Sequence, residues 1–248
     1  MADVDSWLAA LEARHLANLT RPELTRALRA LSSCYVERRD RLAQGGALEG
    51  AGKRAAFALF YAPLHFLTVS HIVDALNAGR RPVQQILDLG CGTGAAGVAW
   101  ATSMDATPAV IGIDRSAWAV DEANWTYRHF GMRGRASTGD LTRAPIRADA
   151  RTGMLLAYAV NELPPERRAV LLERLVQRVR GGAALLVVEP IARRTADWWD
   201  EWRAALAREG ARGDDWRFAA DLPPLLRSIV RGAGLDPREL TARTIAKL

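Results

Sequence analysis

A glycine-rich segment that begins with an acidic residue is the strongest chemical signal in the sequence. Residues 86–94 read Ile-Leu-Asp-Leu-Gly-Cys-Gly-Thr-Gly and stand between an apolar run and a helical pattern. Glycine lets the backbone turn sharply and approach a ligand closely, because no Cβ collides with it. The Asp88 carboxylate suits a ligand with a cationic amino-acid end better than a pyrophosphate, which it would repel. We expect ligand contacts from Asp88, Gly90, Cys91, Gly92 and Gly94.

Two more acidic residues follow the next two predicted strands. Asp114 stands twenty residues after Gly94, and a carboxylate at such a strand end can accept both hydroxyls of a ribose. Arg115 is assigned to the same site. Asp140 and Leu141 can hold the edge and the face of an adenine. Because the carboxyl ends of parallel strands meet at one edge of a sheet, these residues predict one nucleotide-binding crevice.

A polar cluster between prolines follows the fourth predicted strand. Residues 157–165 read Ala-Tyr-Ala-Val-Asn-Glu-Leu-Pro-Pro. Glu162 can act as a base, Asn161 can orient a donor, and Tyr158 can contact either the cofactor or the substrate. The alternative is that Glu162 only caps the helix that begins at Pro165.

Helices are predicted before the crevice. The first covers residues 5–19, and the Thr20-Arg-Pro-Glu23 capping box opens a second that runs to about residue 44. A loop is expected at residues 45–52. A third helix begins near Lys53, is interrupted at Pro63 and ends at Asn77-Ala-Gly79. Residues 1–80 are therefore predicted to form a helical cap.

Residues 81–248 show the alternation of strands and helices that indicates a parallel sheet in an α/β fold. Helices are also expected from Pro190 to about residue 210 and over residues 222–232, followed by a last strand at 239–245. The other predicted strands are 83–87, 109–113, 135–137, 154–157 and 183–188, and the other predicted helices are 95–103, 116–130 and 165–180.

Residues 86–140 resemble the first three cofactor-binding motifs of class I methyltransferases. The resemblance implies a Rossmann-like α/β sheet, here with an N-terminal helical extension, and S-adenosyl-L-methionine (SAM) as the cofactor. It implies that Gly90 and Gly92 hold the methionine part, Asp114 the ribose, and Asp140 with Leu141 the adenine. A nicotinamide-dependent dehydrogenase is the alternative, because Gly90-x-Gly92 followed by Ala95 also fits a loose Rossmann pattern. Asp88 argues against it.

An acceptor pocket is predicted between the helical cap and residues 158–162. The run from Phe57 to Phe66 is denser in aromatic and histidine side chains than a simple helix needs, and Tyr61 and His65 are its candidate pocket residues. The alternative is that these side chains only join the helices to the sheet. Two groups of tryptophans remain: Trp198, Trp199 and Trp202 form either a lid or a packing cluster, and the core is expected to hold Trp7, Trp100, Trp118 and Trp125.

The charge of the chain leaves a second class of function open. The net charge is +6, and Lys53 and Lys247 are the two lysines, so nearly all of the positive charge is arginine. Basic residues in the N-terminal helices can contact RNA phosphates or form an ordinary solvated face. A ribosome- or RNA-associated protein with little catalysis is therefore the alternative function. These basic residues are Arg26, Arg29, Arg38, Arg39, Arg41, Lys53 and Arg54.

A narrower resemblance accompanies that alternative. Four segments resemble the methyltransferase-like proteins of the mitochondrial small ribosomal subunit and their bacterial relatives: residues 31–36, 157–164, 188–190 and 215–218. Members of that group carry cysteines after the Glu-Pro element that bind a metal cluster. Because this chain has no cysteine after Cys91, the sequence excludes such a cluster.

The remaining composition indicates a cytoplasmic protein without disulfides or metals. Asp3 and Asp5 stand where a secretory signal would carry basic residues, and no apolar run approaches the roughly 20 residues of a membrane span. A disulfide between Cys34 and Cys91 is not expected, because Cys91 belongs to the ligand loop. The four histidines show no metal-ligand spacing.

Overall fold

The computed structural model describes residues 4–37, 48, 50–191, 198–235 and 238–248. One seven-stranded sheet in the order β3-β2-β1-β4-β5-β7-β6 forms its centre. The strands are β1 (Gln85–Leu89), β2 (Ala109–Asp114), β3 (Gly134–Thr138), β4 (Thr152–Ala157), β5 (Ala184–Glu189), β6 (Arg212–Ala219) and β7 (Glu239–Lys247).

Strands β1 to β5 are parallel, and β7 lies antiparallel to β5. The α/β fold, the five parallel strands and the antiparallel last strand are therefore confirmed. Strand β6, which pairs antiparallel with β7 at the sheet edge, was not predicted. Its signal was weak because only alternate residues, such as Trp216 and Phe218, are partly buried, and the other positions are exposed.

The helices cover both faces of the sheet. One buried cluster joins α1, α2, α3, α4, α5 and α8 to the sheet, and the other lies under α6 and α7. The N-terminal helices therefore share a core with the sheet. The helices are α1 (Val4–His15), α2 (Arg21–Glu37), α3 (Ala51–Ala75), α4 (Ala95–Thr102), α5 (Ala117–His129), α6 (Pro165–Arg180), α7 (Trp199–Ala207) and α8 (Pro224–Ala233).

Helix α3 is continuous through Pro63, which corrects the predicted interruption. Its middle, Phe57–Tyr61, is a π-helical turn in which the Ala62 N–H donates to the Phe57 carbonyl. Pro63 stands in the first turn of the α-helical part that follows, where a missing N–H is tolerated best. The wider turn thus lets the helix pass a proline without breaking, and π-turns of this kind are frequent at functional sites.

Other predicted boundaries differ by a few residues or lie outside the described residues. The Thr20 capping box forms as expected, because the Glu23 carboxylate accepts the Thr20 N–H at 2.8 Å. The predicted continuation of α2 beyond residue 37 and most of the 45–52 loop lie outside the described residues. So does the predicted helix start after Pro190, since residues 192–197 are not described and α7 begins at Trp199.

Helix α3 is long and apolar enough to cross a bilayer by length and composition, although the sequence showed no uninterrupted apolar run. Of its most apolar window, 67% is buried inside the protein. That burial is the pattern of a core helix, and it agrees with the position of α3 between the other N-terminal helices and the sheet.

A buried carboxylate ties α1 to the sheet domain. Glu122 of α5 is 4% exposed and accepts hydrogen bonds from Arg14 Nη2 at 2.9 Å and His15 Nε2 at 3.1 Å. Burial alone would raise the pKa of Glu122, but the His15 and Arg14 hydrogen bonds outweigh it and hold that pKa below its usual value. Glu122 therefore stays ionised and anchors the first helix.

We predict that Glu122→Gln lowers the free energy of unfolding by about 1–3 kcal/mol, because two charge-assisted hydrogen bonds are lost in a buried place. Urea denaturation followed by circular dichroism measures the change. The matched control is Asp121→Asn, which removes an exposed carboxylate one residue away. Equal stability of the two variants would contradict the anchoring role.

Candidate active site

A cavity of about 840 Å³ lies over the carboxyl ends of the parallel strands. Its volume is within the roughly 300–1,000 Å³ of small-molecule sites, and its place is where open α/β sheets bind ligands. Its walls come from the loops after β1 to β5, from α3 and from the start of β7. The predicted site residues that line it are Gly90, Cys91, Gly92, Asp114, Arg115, Asp140, Leu141, Tyr158, Asn161, Glu162, Tyr61 and His65.

Asp88 does not line the cavity, which corrects the prediction of a direct ligand contact. Its side chain is completely buried beneath the loop, close to the backbone of Gly97. Burial raises the pKa of Asp88 to about 7, and repulsion from Asp114 adds to the rise. Asp88 therefore lies beneath the glycine loop and contributes no surface to the cavity.

Gly94 is also a structural residue and not a wall of the cavity. It has a φ of +82°, and a Cβ on it would lie 2.7 Å from the Tyr127 ring and 3.2 Å from Ala123. Only a glycine fits at this start of α4, where the helix packs against α5. Sequence reasoning could not separate this packing role from a ligand contact, because both require glycine.

Of the loop glycines, Gly92 has the space that a bound molecule needs. Gly92 has a φ of +50°, and a Cβ on it would meet nothing closer than the Phe57 ring at 3.9 Å. The Cys91 thiol also lines the cavity, and burial, followed by the charges of Asp88 and Asp114, raises its pKa well above the usual value. The thiol is therefore neutral. In the described part of the chain, Cys91 is a free cysteine, and the Cys34 side chain lies outside it.

Asp114, at the end of β2, fixes two loops at once. Its carboxylate accepts the Gly92 N–H at 2.9 Å and the Ser116 N–H at 2.8 Å. Ser116 in turn caps α5 by accepting the Ala119 N–H at 3.3 Å. The position of Asp114 in the cavity wall is thus set by the backbone on both sides of it.

Asp140 is held in a similar way after β3. One carboxylate oxygen accepts from the Thr142 hydroxyl at 2.6 Å and the Thr142 N–H at 2.9 Å, and the other lies 2.7 Å from Arg167 Nη1. The Thr142 hydroxyl, with smaller contributions from the Thr142 N–H and Arg167, keeps the pKa of Asp140 below its usual value. Asp140 is therefore an ionised, rigid part of the wall.

The loop after β4 brings strained backbone and a carboxyl group to the cavity. Tyr158 has a φ of +59°, and its ring stacks on His65 of α3 with 4.0 Å between ring centres. A non-glycine residue in this conformation is strained and persists only where its surroundings hold it. Burial lowers the pKa of His65 to about 3, so this ring is neutral.

Glu162 ends the same loop, in the short turn Val160–Glu162. Its carboxyl group lies 3.2 Å from Arg115 Nη2. Burial in the cavity wall raises the pKa of Glu162 to about 7, and Arg115 opposes the rise. The alternative capping role is not found, because α6 begins at Pro165 without a side-chain cap.

Glu189, at the end of β5, is a site residue that sequence reasoning missed. It is completely buried and lines the cavity. Its carboxylate accepts the N–H groups of Val160 at 2.9 Å and Asn161 at 3.3 Å, and also the Asn161 side-chain amide. Glu189 thus holds the turn that carries Glu162. The available signal was a lone carboxylate that ends an apolar strand just before Pro190.

Aromatic residues of the π-turn form the cavity wall that faces the Gly92 loop. Phe57 lies next to Tyr61, with 6.0 Å between ring centres, and meets the edge of Trp118. Trp118 and Trp125 are partly buried and pack against the edge of the core, whereas Trp7 and Trp100 lie completely inside it as predicted. Trp118 and Trp125 belong to the outer turns of α5, which the N-terminal helices cover only in part.

The second tryptophan group forms a packing cluster. Trp198, Trp199 and Trp202 are at most 7% exposed and pack under the sheet with α6. The Trp198 indole donates to the Asn161 side-chain oxygen at 3.0 Å. Of the two predicted roles, packing is the one observed, with one polar contact that orients Asn161.

Two of the basic N-terminal side chains are engaged within the protein. Arg29 donates to the carbonyls of Ala233 at 2.9 Å and Gly232 at 3.0 Å, at the end of α8. Arg54 donates to the Leu48 carbonyl at 3.1 Å and lies over the Trp118 ring. Arg38, Arg39 and Arg41 lie outside the described residues. The described geometry therefore gives the RNA-binding alternative no support.

Comparison with known proteins agrees with this fold. Residues 86–182 match the family model of a methyltransferase domain. Comparison with curated proteins gives no sequence match.

Solved structures of methyltransferases share the fold. The mitomycin 7-O-methyltransferase MmcR matches with 15% identity and a TM-score of 0.55, over 96% of this chain and 71% of its own. The methyltransferase domain of bacterial CtHen1-CN matches with 13% identity and a TM-score of 0.50, over 75% of this chain and 98% of its own. The magnesium protoporphyrin IX methyltransferase ChlM of Synechocystis PCC 6803, solved with SAM, matches with 18% identity and a TM-score of 0.49, over 74% and 80%.

The matched domain and the sheet topology define a Rossmann-like methyltransferase fold, in which β7 runs antiparallel to β5. Residues 86–182 are therefore similar to a methyltransferase domain, for which SAM is the implied cofactor, and the chain shares the fold of the methyltransferase MmcR. The residues present fit that cofactor, because the Gly92 loop leaves room that a side chain would fill and Asp114 lines the same cavity.

We predict that Glu189→Gln destabilises the 158–162 turn, because an amide offers one acceptor oxygen to the three donors that the carboxylate now serves. The free energy of unfolding should fall by about 1–3 kcal/mol in urea denaturation. Glu173→Gln on the exposed face of α6 is the control. A Glu189 variant as stable as this control would show that the three hydrogen bonds contribute nothing.

Proposed function

We propose that the protein transfers the methyl group of SAM to a small or medium-sized acceptor that enters between α3 and residues 158–162. The observation that carries this proposal is one continuous cavity. Tyr61 and His65 line it from α3, and Glu162 lines it from the loop after β4. Asp114 and Asp140 line the same cavity at the ends of β2 and β3.

The cofactor end of the cavity is the side of β1, β2 and β3. There, we propose that Gly90 and Gly92 hold the methionine part and Asp114 the ribose hydroxyls. Asp140 and Leu141 hold the adenine. When bound, SAM supplies a methyl carbon that its sulfonium group activates for in-line displacement. The protein then has to align the acceptor, exclude water and remove a proton.

Glu162 is the residue best placed to remove that proton. A base works best when its pKa is near the working pH, and burial raises the pKa of Glu162 to about 7. Arg115 holds the carboxyl group from one side at 3.2 Å. Glu189 and Trp198 fix Asn161, the neighbour of Glu162, from the other side. The base is thus oriented before any acceptor binds.

The α3 helix closes the site over the reacting groups. Its π-turn puts Phe57 across from the Gly92 loop, and His65 stacks on Tyr158. Water is excluded there by large, flat side chains. Tyr61 and His65 are accordingly acceptor-pocket residues, and changes in them should affect turnover more than SAM affinity.

The general proposal is tested by incubating the protein with a metabolite extract and SAM that carries a deuterated methyl group. Mass spectrometry should find a product that contains the deuterated methyl group and that forms only with active protein. Heat-denatured protein is the control. If SAM binds and no labelled product forms in extracts from any growth condition, the transfer activity is contradicted.

We predict that Asp114→Ala weakens SAM binding by about 1–3 kcal/mol, because two ribose hydroxyls lose their acceptor in an enclosed site. Isothermal titration calorimetry with SAM measures the change. Circular dichroism checks folding, since Asp114 also holds Gly92 and Ser116. Asp105→Ala, an exposed aspartate, is the matched control. Unchanged SAM affinity in Asp114→Ala would contradict the ribose assignment.

We predict that kcat/KM for the identified acceptor falls as the pH drops below about 7, because Glu162 must be ionised to accept a proton. Glu162→Gln should lose about 10²–10⁴-fold in rate and also lose this limb of the pH profile. SAM affinity should remain. A Glu162→Gln enzyme that keeps the wild-type pH profile would show that another group is the base.

A further inference from the structure

The acceptor half of the sheet edge carries its own set of carboxyl groups. Strands β4, β5 and β7 are neighbours in the sheet. Glu162 follows β4, Glu189 ends β5 and Glu239 begins β7, and all three line the cavity. The cofactor half, from β3 to β1, has its own two carboxylates, so these three are in excess of what the cofactor end uses.

The cavity therefore has more acidic than basic lining side chains, in a protein whose net charge is +6. Two guanidinium groups, Arg115 and Arg167, line it, and both already contact lining carboxylates. Two more lie behind the wall: Arg217, 3.0 Å from Glu239, and Arg243, opposite Glu189 in the β5–β7 register. A cleft lined mainly by one sign of charge concentrates ligands of the other sign. The lining carboxylates are Asp114, Asp140, Glu162, Glu166, Glu189 and Glu239.

The same half of the cavity has flat, apolar walls. Tyr61 and the stacked pair His65 and Tyr158 provide ring surface, and Leu64 and Leu240 provide aliphatic surface. The His65 ring is neutral, so it adds no positive charge. Such walls favour a planar apolar group, and the carboxylates at the strand ends favour a positive charge on it.

We propose that the methyl acceptor is an amine carried on a flat, apolar ring system. This inference rests on the proposed function and names its substrate class. The ammonium form is attracted by Glu162 and Glu239 and can donate a hydrogen bond to the Glu189 carboxyl group, and the ring lies between α3 and the loop after β4. One proton passes from the ammonium nitrogen to the Glu162 carboxylate. The free nitrogen pair then forms the bond to the methyl carbon as the carbon–sulfur bond breaks, and the sulfur keeps that bond's electron pair.

Anionic acceptors do not suit this cavity. A phenolate, carboxylate or phosphate would approach Glu162 and Glu239, and both lining guanidinium groups are already in ion pairs. Repulsion between the anionic acceptor and these carboxylates opposes binding. His65 is neutral and stacked on Tyr158, so it supplies no positive charge to an anionic acceptor. The charge pattern thus selects nitrogen over oxygen acids.

The test uses three probes with the same ring and different charge: 2-naphthylmethylamine, 2-naphthol and 2-naphthoic acid. Each is titrated by calorimetry into protein saturated with S-adenosylhomocysteine, the product form of the cofactor. We expect the amine to bind at least about tenfold more tightly than the acid, and more tightly than the naphthol. With SAM in place of the product, mass spectrometry should find the N-methylated amine.

Substitutions test whether the lining carboxylates cause the preference for the amine probe. Glu239→Gln should reduce the amine-to-acid affinity ratio by about threefold or more, and Glu173→Gln, an exposed residue of α6, should leave it unchanged. Equal or tighter binding of the acid or the naphthol overturns the inference. Binding of none of the probes also overturns it. Failure of S-adenosylhomocysteine itself to bind would instead contradict the proposed function, so the two failures are distinguishable.

Discussion

The site depends on carboxylates that accept the backbone N–H groups at the carboxyl ends of the parallel strands. Where strands give way to loops, buried N–H groups lose their sheet partners and need other acceptors. Asp114, Asp140 and Glu189 provide these acceptors for the loops after β1, β2, β3 and β4. The loops that form the cavity are therefore shaped by the same groups that give it its charge.

This arrangement links stability to chemistry. A carboxylate that accepts several N–H groups can remain ionised in a buried place, although burial alone would favour its neutral form. In Glu189 the effect of burial is larger: burial raises its pKa to about 8, although the N–H groups of the loop and Arg243 lower it, so Glu189 is largely neutral at neutral pH. The ionised carboxylates of the wall, such as Asp140, suit a cofactor with a sulfonium charge and, in our proposal, an amine acceptor.

The N-terminal helices complete the site because they share a core with the sheet. Helix α3 packs into that core along most of its length, and its π-turn faces the cavity with Phe57 and Tyr61. Glu122 fastens α1 to α5 beside it. The wall that we assign to the acceptor is thus part of the folded core. A cap of this kind can exclude water without a separate closing loop.

The sequence by itself determined the α/β class, the parallel strands and the sheet edge at which most of the proposed cofactor residues lie. Glycine loops, apolar strands and acidic strand ends are local patterns, so the types of neighbouring residues are enough to predict them. The sequence did not predict edge strand β6, because a half-exposed strand has few apolar residues in its pattern. The passage of α3 through Pro63 escaped it because the widened turn depends on packing around Phe57.

Only the tertiary structure decided which of these residues face the cavity. Asp88 and Gly94 have the residue types of ligand contacts, yet one lies beneath the loop and the other packs against α5. Glu189 has no motif of its own, and its role arises from the neighbouring strand, whose loop it holds. Burial and contact between strands distant in sequence are properties of the folded chain, so no local pattern encodes them.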